Sequence, residues 1–182
     1  MEQTSIRVLL VEDNLPDYRL LRALLGECQT IYFDLRHAGR LDAALELARE
    51  GEADIILVDL SLPDSHGLGT FSELHQAAPE IPIVVLSGLD DETVAVQAVR
   101  KGAQDYLVKG RVDSHILSRA ICYAIERHRV EQALLESEKH YRHLLESITD
   151  YCFTVELENG QPRKALHGPG ASLDTLNRPL AP

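Results

Sequence analysis

Ile55-Ile56-Leu57-Val58-Asp59-Leu60 is the stretch on which the reading of this chain turns. Four consecutive apolar residues, three of them β-branched, run directly into a carboxylate. A short unbroken apolar run marks a strand buried on both faces, as in a parallel sheet covered by helices. Such a strand delivers its last side chain to the carboxyl edge of the sheet, where open α/β folds place ligands and chemistry. Asp59 is therefore expected in a cleft at a strand end. Taken alone, it is equally compatible with an acid that merely begins a loop.

Four further runs have strand character. Ile6-Arg7-Val8-Leu9-Leu10-Val11 ends in Glu12-Asp13, and Phe33, Leu35 and His37 alternate with polar neighbours as an edge strand does. Pro82-Ile83-Val84-Val85-Leu86 ends in Ser87-Gly88, and Asp105-Tyr106-Leu107-Val108 ends in Lys109-Gly110. Helical stripes separate them: Leu20, Leu21, Leu24 and Leu25; Leu41, Ala44, Leu45 and Ala48, with Gly51 as a stop; Phe71 and Leu74; and Val94, Ala95, Ala98 and Val99, opened by Asp91 or Glu92 and ended by Gly102. Asp17 reads as the cap of the first helix and Ser114 as the cap of the last. Leu60 to Gly67 reads as a polar loop punctuated by Pro63 and Gly67. Five alternations with short connections predict an α/β fold with a mostly parallel, doubly wound sheet. Right-handed crossovers leave few windings, and the flavodoxin-like order 2-1-3-4-5 is the natural one, with its switch point between the first and third strands.

Composition narrows the function. The chain has 182 residues, 45% hydrophobic, with 29 acidic and 18 basic residues for a net charge of −11. That balance argues against a phosphate-backbone-binding surface, and the absence of Trp argues against a base-stacking platform, so no direct nucleic-acid binding is expected. No run reaches the ~20 apolar residues of a membrane span. Cys28, Cys122 and Cys152 form no CxxC pair and read as free thiols of a cytoplasmic protein.

The chemistry comes from the strand ends taken together. The expected topology gathers Glu12, Asp13, Asp59, Ser87 and Lys109 on one edge. Two carboxylates ~4 Å apart repel by about 4 kcal/mol at an effective dielectric of ~20. A site with three of them wants a cation, and an all-oxygen donor set favours Mg²⁺. Lys109 suits a phosphoryl oxygen and Ser87 can donate to another. A carboxylate beside Mg²⁺ and lysine is placed for covalent phosphoryl transfer.

Across roughly residues 5–125 these motifs resemble the receiver domain of two-component response regulators, the chemotaxis-regulator-like family. The residues that carry the likeness are Glu12-Asp13, Asp59 with Pro63 and Gly67 in its loop, Ser87-Gly88, Tyr106 and Lys109. The resemblance implies that Asp59 is the phosphoacceptor, charged by a histidine kinase or phosphotransfer protein. It implies that Asp13 and Asp59 hold Mg²⁺, with Glu12 acting through water and the Ser61 backbone carbonyl as a further ligand. It gives Ser87 and Lys109 the phosphoryl group, and makes Ser87 and Tyr106 a switch pair. Such a chain catalyses only its own phosphorylation and dephosphorylation. One departure is Gly110, where many relatives carry proline after the lysine. An aspartyl phosphatase of the haloacid-dehalogenase type would want an acid at Ser61. A nucleotide- or flavin-binding module would want a glycine-rich cradle after the first strand.

From Ser114 to Ser147 there is neither proline nor glycine, which predicts one long helix. Ile116, Leu117, Ala120, Ile121 and Ala124 suit packing on the sheet. Tyr123, Arg127, Val130, Leu134, Ser137, Tyr141, Leu144 and Ile148 then follow a three/four spacing. That seam predicts a parallel homodimer through the helix; the alternative is a helix folded back on its own domain. His140 and His143 read as a solvated helix face. Residues 140–151 resemble the entry of a PAS sensor domain, and Cys152-Phe153-Thr154-Val155-Glu156-Leu157 would be its first strand. The expected division is a receiver domain over 1–125, a helical coiled-coil linker over 126–148, and a truncated PAS-like start or poorly packed tail over 149–182.

Overall fold

The computed structural model describes residues 4–88, 92–149, 153–158 and 161–167. The chain divides into two compact units, Met1–Val130 and Glu131–Pro182.

In the first unit, β1 (Thr4–Val11), β2 (Ile31–Ala38), β3 (Ile55–Asp59), β6 (Ile83–Ser87) and β7 (Asp105–Val108) form one parallel sheet in the order β2-β1-β3-β6-β7. Counting only these strands, the order is 2-1-3-4-5, as the alternation of elements predicts. The helices are α1 (Leu15–Gly26), α2 (Leu41–Arg49), α3 (Leu68–Ala77), α4 (Glu92–Arg100) and α5 (Ser114–Thr149).

Both faces of the sheet are covered, which is why β3 needs no polar alternation. Leu9, Val11, Ile56, Val58, Ile83 and Val85 pack with Ala44, Phe71, Leu74 and Ala98 of α2, α3 and α4. The intervening Val8, Leu10, Ile55, Leu57, Val84 and Leu86 pack with Leu21 and Leu25 of α1 and Leu117, Ile121 and Ala124 of α5. Each fully buried aliphatic side chain contributes about 1.5–3 kcal/mol of transfer free energy. Leu20 and Val99, placed in the helical stripes by their spacing, lie exposed on the outer flanks of α1 and α4.

Three local details differ from the sequence expectation. Asn14, not Asp17, caps α1: the Asp17 amide donates to Asn14 Oδ1 at 3.3 Å, and Asp17 lies inside the first turn. Asp113, not Ser114, caps α5: its Oδ1 accepts from the Ile116 amide at 2.7 Å, while Ser114 Oγ donates to the Leu24 carbonyl. Residues 60–67 are not a plain polar loop. They form a two-rung antiparallel hairpin of β4 (Ser61–Leu62) and β5 (Ser65–His66), with Leu60 and Leu62 buried beneath it. The Gly67 amide closes this hairpin on the Leu60 carbonyl at 2.7 Å, and its φ of +64° with ψ of −150° is a conformation that only glycine adopts readily.

In the second unit, β8 (Phe153–Glu158) and β9 (Gln161–His167) pair antiparallel, with a register shift at Glu156/Leu157. Asp91, Cys152 and the turn-rich end from Gly168 to Pro182 lie outside the described residues, as does the side chain of Ile148. Tyr123 and Val130 of α5 are exposed in the first unit, and Leu134, Tyr141 and Leu144 in the second.

Candidate functional site

Strand register brings the polar strand ends together. Val11 pairs with Val58, Asp59 with Leu86, and Ser87 with Val108, so Glu12, Asp59, Ser87 and Lys109 all emerge at one edge. The Glu12 amide bonds the Ala38 carbonyl at 2.9 Å and the Lys109 amide bonds the Ser87 carbonyl at 2.7 Å, which extends the ladders past the last strand residues.

Lys109 is the hub. Its Nζ lies 2.5 Å from Glu12 Oε2, 2.8 Å from Asp59 Oδ2 and 3.2 Å from Asp17 Oδ2. Glu12 is fully buried and Asp59 is 7% exposed, whereas Asp13 faces solvent. Burial pushes the Glu12 carboxyl above its ordinary value, and the pairing with Lys109 works against that shift. Burial likewise opposes the charged ammonium of Lys109, but its hydrogen bonds to Asp59 and Glu12 prevail and raise its pKa well above that of a free lysine. Lys109 therefore stays charged throughout the physiological range.

Further bonds fix the acids. Glu12 Oε1 accepts from the Asn14 amide at 3.1 Å, and Asp59 Oδ1 from the Ser61 amide at 3.3 Å. His37 Nε2 lies 2.7 Å from the Glu12 carbonyl, which can only accept, so this nitrogen carries the proton. The His37 ring stacks on Tyr18 with centroids 4.1 Å apart. Two elements, β2 and α1, thus brace the backbone that presents Glu12.

Glu12, Asp13 and Asp59 each offer a carboxylate oxygen within 4.8 Å of the others. With Asp17 the cluster holds four carboxylates, three of them on the Lys109 ammonium, an excess of three negative charges. All the donors are oxygen, and among the described residues no histidine or cysteine joins the cluster. A hard divalent cation fits this donor set and offsets the charge.

The remaining residues singled out in the sequence lie around this cluster. Ser61 is exposed at the start of the hairpin that follows Asp59. Ser87 is half-buried, with Oγ 3.5 Å from the Gly88 carbonyl, too long for a firm bond. Tyr106 is half-buried against the apolar layer shared with α2, α3 and α4. The Lys109-Gly110 peptide is trans and Gly110 has a φ of +80°. Proline, held near −65°, could not take that conformation, so the loop here follows a path that a Lys-Pro sequence would not.

Asp17 is the member of the cluster that sequence reasoning missed as a site residue. It sits four residues after Asp13, on the first turn of α1, and its spacing alone pointed to a helix cap. Only the fold reveals its contact with a lysine 92 positions away.

Comparisons with known proteins converge on the same region. Residues 8–121 match the family model of the response regulator receiver domain. The chain is 33% identical over 110 residues to the transcriptional regulatory protein ZraR of Escherichia coli, which covers 60% of this chain and 24% of that protein. It is 41% identical over 97 residues to the glycerol metabolism activator of Pseudomonas putida, covering 51% of this chain and 44% of that protein. The chain thus spans less than half the length of these relatives. A response regulator receiver domain protein from Clostridium thermocellum superimposes with a TM-score of 0.57 at 25% identity, over 69% of this chain and 98% of that one. With its sheet order, acidic cluster and lysine at the shared strand edge, the chain belongs to the response regulator receiver domain family of two-component signalling.

Proposed function

We propose that Asp59 accepts a phosphoryl group from the phosphohistidine of a histidine kinase or phosphotransfer protein. The observation that carries this reading is the Lys109 ammonium 2.8 Å from a nearly buried Asp59, inside a cluster with excess negative charge. A carboxylate oxygen of Asp59 attacks phosphorus, a P–O bond forms, and the P–N bond of the donor breaks. The imidazole leaves with its electron pair and takes up a proton. Lys109 neutralises charge on the acceptor and on the phosphoryl oxygens. Ser87 is positioned at the adjacent strand end to donate to another phosphoryl oxygen. Asp13, Asp59 and Glu12, the last through water, together with the Ser61 carbonyl, would hold Mg²⁺, which supplies neutralisation of the transferring group when bound. The same residues would govern hydrolysis of the aspartyl phosphate, so the chain acts on itself and not on a pool of substrate.

The state of Asp59 would be read by Ser87 and Tyr106 and passed to α5. Residues 1–125 form the receiver in this reading, 126–148 a helical linker, and 149–182 the start of a PAS-like domain. The antiparallel hairpin of β8 and β9 supports the last assignment, since a sensor sheet begins with such strands. The exposed Val130, Leu134, Tyr141 and Leu144 at three/four spacing support a parallel homodimer through α5. Among the described residues no helix is long and apolar enough to cross a membrane. The reading places the chain in the cytoplasm, where the phosphodonors are.

The test is labelling with a small phosphodonor, phosphoramidate or acetyl phosphate, in the presence of Mg²⁺. One acid-stable, base-labile phosphoryl group per chain is expected, and it should vanish in Asp59→Asn. Undiminished labelling of that variant would refute the assignment.

A further inference from the structure

An ammonium has three protons, and Lys109 faces three carboxylates. They are unequal. Glu12 is fully buried at 2.5 Å and the Asp59 side chain is 11% exposed at 2.8 Å. Asp17 reaches in from the first turn of α1, at 3.2 Å, with its side chain 35% exposed. Building on the phosphoacceptor reading, we propose that Asp17 is a positioning residue that occupies Lys109 in the resting state and is exchanged for a phosphoryl oxygen when Asp59 is phosphorylated.

The three partners differ in how readily the lysine can release them. A phosphoryl group on Asp59 presents new anionic oxygens, and the ammonium must free a proton to meet one. Releasing Glu12 would strand a buried carboxylate, because Glu12 Oε2 relies on the Lys109 ammonium as its partner. A buried charge deprived of its partner is strongly unfavourable. Releasing Asp59 would remove the lysine from the reacting group. Asp17 has the longest contact of the three and an open path to water. Rehydrating it is the least costly exchange, since partly exposed ion pairs are weak.

While Asp17 is present it competes with the phosphoryl group for Lys109, and after release its charge lies beside the new anion. Both effects disfavour the phosphorylated state. Removing the charge should therefore raise phosphoryl occupancy. Loss of a residue that served only the fold would not produce such a gain.

The experiment uses the full chain with Mg²⁺ and phosphoramidate, comparing the wild type with Asp17→Asn, Asp17→Ser and Asp17→Glu. Initial labelling rates against donor concentration and phosphate loss after donor removal are both followed. The Asn and Ser variants should label about two- to fivefold faster and lose phosphate more slowly, the weight of one partly exposed ion pair. Asp17→Glu should return toward wild-type behaviour. Equal or slower labelling of both neutral variants, with the wild type labelled normally on Asp59, overturns the proposal for Asp17 while leaving the phosphoacceptor reading intact. A wild-type chain that takes no label overturns both.

Discussion

Asp13→Asn removes one of three carboxylates whose oxygens lie within 4.8 Å of one another. Two unit charges at about that separation repel by about 3.5 kcal/mol at an effective dielectric of ~20, and by about 0.9 kcal/mol in bulk water. Asp13 faces solvent, and Lys109 already offsets charge on Glu12 and Asp59, so the lower figure applies. Relief of about 1 kcal/mol corresponds to about 3–5 °C in melting temperature for a domain of this size. In EDTA, Asp13→Asn should therefore melt about 3–5 °C above the wild type. Magnesium has the opposite effect on the comparison. A ligand bound only by the folded state stabilises by RT ln(1 + [L]/Kd), about 1.4 kcal/mol at ten times Kd. The wild type should then gain about 4–7 °C, whereas the variant, short of one ligand, should respond weakly. Calorimetric melts of both proteins across a MgCl₂ series, with EDTA as the zero point, give the crossing directly. An identical magnesium response in the two proteins would refute the ligand role of Asp13. A variant less stable than the wild type in EDTA would refute the claim that the cluster is strained by its own charge.

Lys109→Met leaves the fully buried Glu12 without a counter-charge and should cost about 3–5 kcal/mol at neutral pH. Glu12 would then have a folded-state pKa raised further above its unfolded value. Stability should recover as pH falls through that raised value, and a pH series of melts showing no recovery would contradict this account. Asp54 shows the reverse case: the hydrogen bond from Arg7 holds its carboxyl below the ordinary value of 3.8, outweighing burial. Its contribution is present above 3.8 and is lost as pH falls through the depressed folded value, so Arg7→Ala should flatten the acid limb of the stability curve. Leu134→Glu with Leu144→Glu places charges on the exposed seam of α5 and should weaken self-association in sedimentation velocity, with unchanged species favouring a helix that folds back.

The sheet was legible because its signal is local and redundant. β3 is apolar at four successive positions, and each is completely buried between two helical layers. The strand ends were legible because the doubly wound topology sends every parallel strand to the same edge, so Glu12, Asp59, Ser87 and Lys109 needed no distance information to be grouped. Helix caps were less legible. Asn14 and Asp17, three positions apart, and the adjacent Asp113 and Ser114 all carry a side-chain oxygen that can accept at a helix start, and only backbone geometry selects between them.

Contacts in trans had no local signal at all. Asp64, in the hairpin that follows Asp59, accepts from the Leu41 and Asp42 amides at 2.9 and 3.1 Å and so caps α2, whose own N-cap residue Arg40 makes no side-chain capping bond. Those bonds hold the Asp64 carboxyl below its usual range. Asp17 reaches Lys109 across a still longer stretch of 92 positions. In both cases a carboxylate that looked like an ordinary turn or helix-start acid serves a partner on another element. The two contacts tie the loop after Asp59 to α2 and the lysine to α1. Local sequence rules break where a site is assembled from several elements, because there a side chain answers to the fold and not to its neighbours. Four carboxylates around one ammonium would destabilise a small domain on their own. They are tolerated at this edge because the apolar strands beneath them, buried on both faces, supply stability that does not depend on the charge of the cleft.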